Sequence, residues 1–592
     1  MSDTIVKIGG AAGFWGDSSV GAPQLAEVPG MRYIVFDYLA ELTMSILAAA
    51  RAKNRDLGYA TDFVEVVARE ILAKCRERGI RLIANAGGVN PGACARALQR
   101  LGAELGVSMK VAVVDGDEVL ALLPRLRERG VTDFYTGAPM PERLLSANAY
   151  FGALPIARAL QQGADVVVTG RVVDSAVTLG ALIHEFGWRE DDYDRLAAGS
   201  LAGHLIECGC QATGGLFTDW KEVPDWANIG YPVIECAGDG SFVVTKAERT
   251  GGIVSPPSLA EQLLYEIGDP ANYVLPDVVC DFTQVRMESA GKDRVRVTGA
   301  RGKPPTGTYK VSATHAEGFR AVGTLTITGF DAAAKARRSG EAILERTRAI
   351  FRKRGLADYR AVDLSVLGTA SVYGPHARAL DLQEAVMRLA VSHSDKTALE
   401  IFAREISPAG TSWSPGTTGS LNAGRPNVSP QIKQFAFLLP KSEATARVTI
   451  DAIAEEVAIP RGEDTPLRPG ADAESSGPQL PADAATVPLM RVAHGRSGDK
   501  GDNSNVGIIA RKPEYMPWIR SQVTAAAVQD YLAHLVKGKV ARYSLPGINA
   551  LNFVLEQALG GGGMASLRND PLGKGMAQLV LAMPVRIPKE LL

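Results

Sequence analysis

Only six cysteines are spread over 592 residues, and there is neither a long apolar run nor a block of charge of one sign. Cysteines so few and so unevenly spaced exclude a disulfide framework and point to a reducing compartment. No window approaches the roughly 20 apolar residues of a membrane helix. Met1 passes directly into Ile5-Val6-Lys7-Ile8 without the basic region and apolar core of a signal peptide. A cytoplasmic protein without membrane contact is therefore expected. Lys and Arg number 64 against 65 Asp and Glu, a net charge of -1, and with no basic patch nucleic acid is not an expected partner. The chain also lacks GxxxxGK[ST], a GxGxxG between strand and helix, GxSxG, HExxH and paired CxxC motifs. Nucleotide binding and the usual hydrolase and metalloprotease chemistries lose their support. No metal ligand set is assigned, and no redox cofactor is required.

What is present is an alternation of short apolar segments with amphipathic ones. Residues 5–8, 33–36, 81–84, 110–114 and 165–169 read as strands rich in Val and Ile. Residues 41–53, 63–78, 94–105, 118–129 and 150–162 read as helices between them. Apolar strands alternating with helices predict an α/β fold, a mostly parallel sheet covered by helices on both faces, over residues 1–240. An α+β region completing the main body follows over 241–460, with strands at 294–298, 307–312, 324–328 and 362–367 and helices at 332–354 and 382–405. Residues 461–486 are rich in Pro, Asp and Ser and read as a flexible linker. Residues 487–592 read as a small ferredoxin-like α+β domain, with a helix over 516–535 and a strand over 578–583.

In an open parallel sheet, ligands bind beyond the carboxyl ends of the strands, where loops and helix starts converge. The segments just past the five strands are rich in glycine and polar residues. Gly10 and Asp17 follow the first, Asp37 and Glu41 the second, and Asn85, Gly87, Gly88 and Asn90 the third. Asp115 and Asp117 follow the fourth, and Arg171 and Asp174 the fifth. Such an edge suits a small anionic molecule, although capping and tight turns account for the same residue types. Arg171 either grips a carboxylate or phosphate or pairs with Asp174. Asp115 and Asp117, with Asp37 or Glu41, offer a general base or a hard-cation site, or Asp117 caps the next helix.

The segment from Gly203 to Gly215 is denser in chemistry. Glu207 and Cys208 follow His204 by three and four residues, so a helix puts all three on one face. His204 and Glu207 form a candidate acid/base pair. A cysteine activated by His204, a zinc site and a tightly packed helix end are the alternatives. Ser414 and Thr417 sit in a loop offering hydroxyls to an oxyanion. In the small domain Asp499, Lys500 and Asn503 either bind ligand and close over a neighbouring site or belong to a solvated hairpin.

The motifs KIGGAAGFWGDS, NAGGVNPGA, TGRVVDSAVTLG, GHLIECGCQATGG and SWSPGTTG resemble the acyclic terpene utilisation (AtuA-like) family, and HGRSGDKGDNSNVGI resembles the ferredoxin-fold domain attached to it. The resemblance implies catabolism of acyclic terpenes or branched-chain acids, whose intermediates travel as coenzyme A thioesters. Without a redox signature, a hydratase, dehydratase or lyase acting on an acyl-CoA or carboxylate is expected. Its catalytic residues would come from His204, Glu207, Asp115 and Asp117. A non-catalytic accessory subunit and a metal-dependent lyase are the alternatives. A homo-oligomer, and an acyl-CoA carboxylase or dehydrogenase as partner, are further expectations.

Overall fold

A computed structural model of the chain describes residues 4–378, 382–419, 424–463, 467–470, 478 and 481–592. Five parallel strands form the centre of an eleven-stranded sheet: β1 (Val6–Gly10), β2 (Met31–Phe36), β3 (Arg81–Ala84), β4 (Val111–Asp115) and β5 (Val166–Thr169). They run in the order β1-β2-β3-β5-β4. All five lie where the sequence predicts strands. Alternation of side chains along each strand feeds two cores. Tyr33, Val35, Ile83 and Val167 enter one, while Ile34, Phe36, Leu82 and Val168 enter the other. Helices cover both faces, as an α/β fold requires.

The sheet is mixed rather than parallel throughout. Antiparallel strands extend it on both sides: Pro232–Cys236, Phe242–Lys246, Val295–Thr298 and Arg286–Ser289 beyond β1, and Arg447–Ile450 and Ile453–Glu456 beyond β4. The large sheet thus draws on chain from both sides of residue 240.

A second sheet is organised by one strand of 21 residues, Thr308–Thr328. The sequence predicts two separate strands here, 307–312 and 324–328. Gly318 instead takes φ +78° at an irregularity in the pairing, a bulge that bends the strand without ending it. Its first half pairs with Ser429–Pro440 and Ser146–Ala149, its second with Glu384–His393. The helix expected over 382–405 is therefore a strand followed by helix Lys396–Ile406. Burial between two neighbouring strands overrides the local helix preference of its Glu, Ala, Met and Leu.

The C-terminal unit has a four-stranded antiparallel sheet, Ala493–Lys500, Asn503–Ala510, Ala550–Leu555 and Val540–Leu545 in spatial order, over one apolar core. The helix expected over 516–535 is two, Met516–Gln522 and Ala525–Tyr531. The strand expected over 578–583 is helix Met576–Leu581, and a strand follows at Pro584–Ile587. This unit docks on the main body. Asn505 Nδ2 donates to Leu264 O at 2.5 Å and to Asn552 Oδ1 at 2.9 Å, and Asn552 Nδ2 reaches Gly268 O at 2.6 Å. Arg511 grips Asp219 through two bonds of 2.6 and 2.7 Å. The expected linker lies partly outside the described residues. Within it, Glu463 N donates to Pro305 O, and Gly470 N donates to Asp269 Oδ2 at 2.7 Å.

Candidate active site

A cavity of about 920 Å³ opens at the carboxyl end of β1 and β2 and is closed from the far side by the C-terminal domain. This volume lies at the upper end of the range for small-molecule sites, about 300–1,000 Å³. Asp17, Asp37 and Glu41 come from the loops after β1 and β2, and Asp174 from the loop after β5. Glu207 stands at the end of helix Tyr193–Ile206. Asp499, Gly561 and Lys574 come from the C-terminal domain. Part of the wall is apolar, with Phe14, Leu42, Leu216 and Leu572 exposed there.

Glu207 is the cavity face of a buried dyad. Its Oε1 lies 2.9 Å from Nδ1 of His204, whose Nε2 lies 3.1 Å from Leu263 O. A carbonyl only accepts, so Nε2 carries a hydrogen and one further proton is shared between Nδ1 and the carboxyl. Burial pushes the Glu207 carboxyl up to about 7, against the pull of His204. His204 is itself raised, because the charge and hydrogen bond of Glu207 outweigh burial. The helix brings residues 204 and 207 onto one face, as their spacing predicts. Cys208 does not share the imidazole. Burial, then the neighbouring Glu207 charge, pushes its thiol well up, which disfavours a reactive thiolate.

Beside the dyad, Asp37 is held by Asn85, whose amide donates to Oδ1 of Asp37 and whose Oδ1 accepts from Tyr38 N at 2.7 Å. Burial and then the charge of Asp174 push Asp37 well up. Arg171 is buried beneath them. It donates to Asp174 at 2.7 Å and lies 4.1 Å over the Tyr150 ring, so of its two expected roles the structure supplies the ion pair. The Tyr150 hydroxyl donates to Glu41 at 2.8 Å. Burial raises Glu41, but the cations Lys310 and Arg171 outweigh it and keep the carboxyl low.

The domain opposite supplies a second titrating centre. Asp499 is pushed up to about 7, by burial first and then by the Glu266 charge, while Lys574 opposes. Lys574 Nζ lies 2.9 Å from Glu266 and 3.5 Å from Asp499, and bonds the Tyr265 hydroxyl. Lys500 reaches over the ring of Tyr273, which packs against His204.

Other expected site residues lie elsewhere. Asp115 pairs with Arg447 of the neighbouring antiparallel strand at 2.9 Å, and neither lines the cavity. Asp117 is buried, accepting from Arg171 N at 2.9 Å and Asn148 Nδ2 at 2.7 Å, and it ties the β4 and β5 loops together rather than capping a helix. Asn90 caps helix Pro91–Leu105. The glycines serve packing. A Cβ on Gly10 would stand 2.4 Å from Ile206 O, and one on Gly87 2.5 Å from Thr169 O. Gly88 has φ +55° and no space either. Ser414 bonds both Thr417 and Ser339, in a turn that does not line the cavity. Asn503 accepts from Gln557 N at 3.0 Å. The donors of the metal reading, Asp37, Asp115, Asp117 and the 204–210 segment, do not converge. Among the described residues no three His, Cys, Asp or Glu side chains are grouped to hold a metal ion.

Tyr265, Glu266, His315, Glu317, Lys433 and Lys574 line the cavity without having been anticipated. Glu266 is a non-glycine residue at φ +57° just after helix Pro256–Leu264, which no local sequence pattern announces. Only the Gly560–Gly563 run offered a signal, since such a run lets backbone approach closely.

No described helix is long and apolar enough to cross a membrane. Neither the curated proteins nor the solved structures contain a match to the chain. Residues 487–586 match the AtuA ferredoxin-like domain, and residues 6–450, which supply most of the cavity wall, match the acyclic terpene utilisation family protein AtuA. The chain belongs to the acyclic terpene utilisation family AtuA and carries its ferredoxin-like domain at the C-terminal end.

Proposed function

We propose that the chain is an enzyme of acyclic terpene or branched-acid breakdown that moves protons on an acyl-CoA or carboxylate without a redox cofactor. The reaction would add or remove water, or break a carbon–carbon bond. The observation that carries this reading is the pair of carboxyls, Glu207 and Asp499, both raised to about 7 and facing one cavity from two bodies. A general acid and a general base work best when their pKa values lie near the working pH, and each contributes about 10²–10⁴-fold. In hydration, Glu207 would take a proton from water as its oxygen bonds the β-carbon of an enoyl substrate. Asp499 would deliver a proton to the α-carbon, so that one water is consumed. The exposed apolar side chains Phe14, Leu42, Leu216 and Leu572 suit a branched hydrocarbon tail.

The test is mass spectrometry of the full chain incubated with linear and branched acyl-CoAs and no added redox cofactor. A change of one water, or a split into two products, is expected, and Glu207→Gln should slow it by about 10²–10⁴-fold. No change across the panel, with binding seen by native mass spectrometry, would overturn the catalytic reading in favour of an accessory subunit.

A further inference from the structure

The large cavity is acidic. Asp17, Asp37, Asp174, Glu207, Glu266 and Asp499 all face it, so a phosphate group placed among them would be repelled. A second cavity of about 400 Å³ adjoins it and shares Glu317, Lys433, Gly561 and Ala565 as walls. Its other walls include Arg360 and Arg568, with Asp363 opposite. It lies between the second sheet, at Ala361–Leu367 and Glu384–His393, and the Gly560–Gly563 loop of the C-terminal domain.

Charge in and just behind this second cavity does not balance. Glu317 is shared by Lys433 at 2.7 Å and Arg360 at 3.2 Å. Asp363 is 3.2 Å from Arg388, whose other bonds go to the carbonyls of Leu567 and Arg568. Arg568 bonds the carbonyls of Ala558 and Leu535. Arg320, the cross-strand neighbour of the wall residue Ser392, bonds the carbonyl of Met564 at 3.0 Å. It has no carboxylate within ion-pair distance among the described residues. Five cations therefore stand against three carboxylates, Glu317, Asp363 and Asp502, the last of which acts on Arg568 from beneath the Gly560–Gly563 loop. The guanidiniums of Arg320, Arg388 and Arg568 are all pushed below their ordinary value by burial. Carbonyls satisfy the hydrogen-bond geometry of a guanidinium but not its charge, and a partly desolvated cation without a counter-charge is unfavourable. Arginine clusters of this kind match phosphate oxygens.

We propose that the cavity bounded by Arg360, Lys433 and Arg568 binds the phosphate groups of a carrier thioester whose acyl end occupies the adjoining acidic cavity. This rests on the substrate reading above and deepens it. It selects the phosphorylated thioester over the free carboxylic acid, and it orients the substrate, with the phosphates between the two bodies and the reactive carbons beside Glu207. The C-terminal domain then contributes to both ends of one ligand, through Arg568 at the phosphates and Asp499 at the acyl group.

The test is calorimetric titration of the full chain with free coenzyme A, with pantetheine, which keeps the thiol arm and lacks the phosphates, and with inorganic diphosphate. Coenzyme A should bind at least tenfold more tightly than pantetheine and should weaken with salt. Arg360→Glu and Lys433→Glu should each weaken it at least tenfold. Arg360→Lys, which keeps the charge, should retain most of the affinity. Arg360 and Lys433 are partly exposed, and unchanged melting temperatures would show that the variants fold. Equal affinity for coenzyme A and pantetheine, or indifference to both reversals, overturns the proposal. Diphosphate binding as tightly as coenzyme A with the same dependence on Arg360 makes the cavity a site for a free anion and also overturns it. Thioester turnover insensitive to Arg360→Glu would sink this inference and leave the enzyme reading standing. Binding of coenzyme A that depends on Arg360, without turnover of any thioester, would support this inference and sink the catalytic one.

Discussion

Glu207 both lines the cavity and bonds the buried imidazole of His204, which makes it the first carboxyl to test. Glu207→Gln is expected to lower kcat/KM by about 10²–10⁴-fold with the fold intact, which steady-state kinetics and a melting curve would check. The rate should be bell-shaped around pH 7, rising as the base loses its proton and falling as the acid loses its own. With Glu207 as base, the Gln variant loses the low-pH limb, and Asp499→Asn loses the high-pH limb. Gly10→Ala should destabilise the chain by about 1–3 kcal/mol, because its new methyl meets the Ile206 carbonyl at 2.4 Å and neither backbone can move freely. Thermal unfolding measures this directly. The His204–Glu207 face was legible in the sequence from the three-residue spacing alone, since helical periodicity is local. The pairing of Glu207 with Asp499 was not, because nearly three hundred residues separate them and no propensity encodes which loops meet.

Between elements, the hairpin Ala493–Lys500 and Asn503–Ala510 holds the two bodies together and carries Asp499 to the site. Its outer latch joins Asp219 to Arg511 and to His494, whose Nε2 lies 2.9 Å from Asp219. The hydrogen bond from Arg511 holds Asp219 below the usual carboxylate range. Burial, and then the Arg511 charge, hold His494 below its ordinary value. The unfolded chain therefore binds more protons at His494, so this contribution to stability is complete above about pH 6.5 and is lost as pH falls below it. Asp219→Asn should weaken the docking by about 1–2 kcal/mol at neutral pH. Hydrogen exchange at Gly495 and Arg496 would report it as faster opening. At this scale the sequence located the helices and strands of the first half well, because each is a complete amphipathic or apolar unit. It misread 384–393 and 578–583, where neighbouring strands and the domain core, rather than local preference, decide the conformation.

At the scale of the whole molecule, burying carboxyls between two bodies makes stability depend on pH. Glu261, from helix Pro256–Leu264, is 1% exposed against the C-terminal domain. Burial raises it to about 7, with Thr218 and Arg496 only partly opposing. The folded chain keeps a proton that the unfolded chain loses above about pH 4.5, so stability from this group declines as pH rises from about 4.5 to 7. Glu261→Gln removes that decline. Its stability relative to the parent should be about 2–3 kcal/mol greater at pH 8 than at pH 4. Denaturant titrations at the two values would check this, and parallel curves would refute it.

The sequence by itself determined the α/β class, the five parallel strands, the polar loops at their carboxyl ends and the small C-terminal unit. All of these follow from periodicity and turn chemistry within a few dozen residues. Only the tertiary structure decided which of those polar residues face the cavity. It turned Asp115 toward Arg447, buried Asp117 and Arg171 as braces, and filled the space around Gly10, Gly87 and Gly88 with neighbouring backbone and side chains. It also set Glu266, Asp499 and Lys574 against Glu207. The physical reason is that a hydrogen-bond partner, a neighbouring charge and the loss of water set a side chain's reactivity, and here all three come from distant parts of the chain.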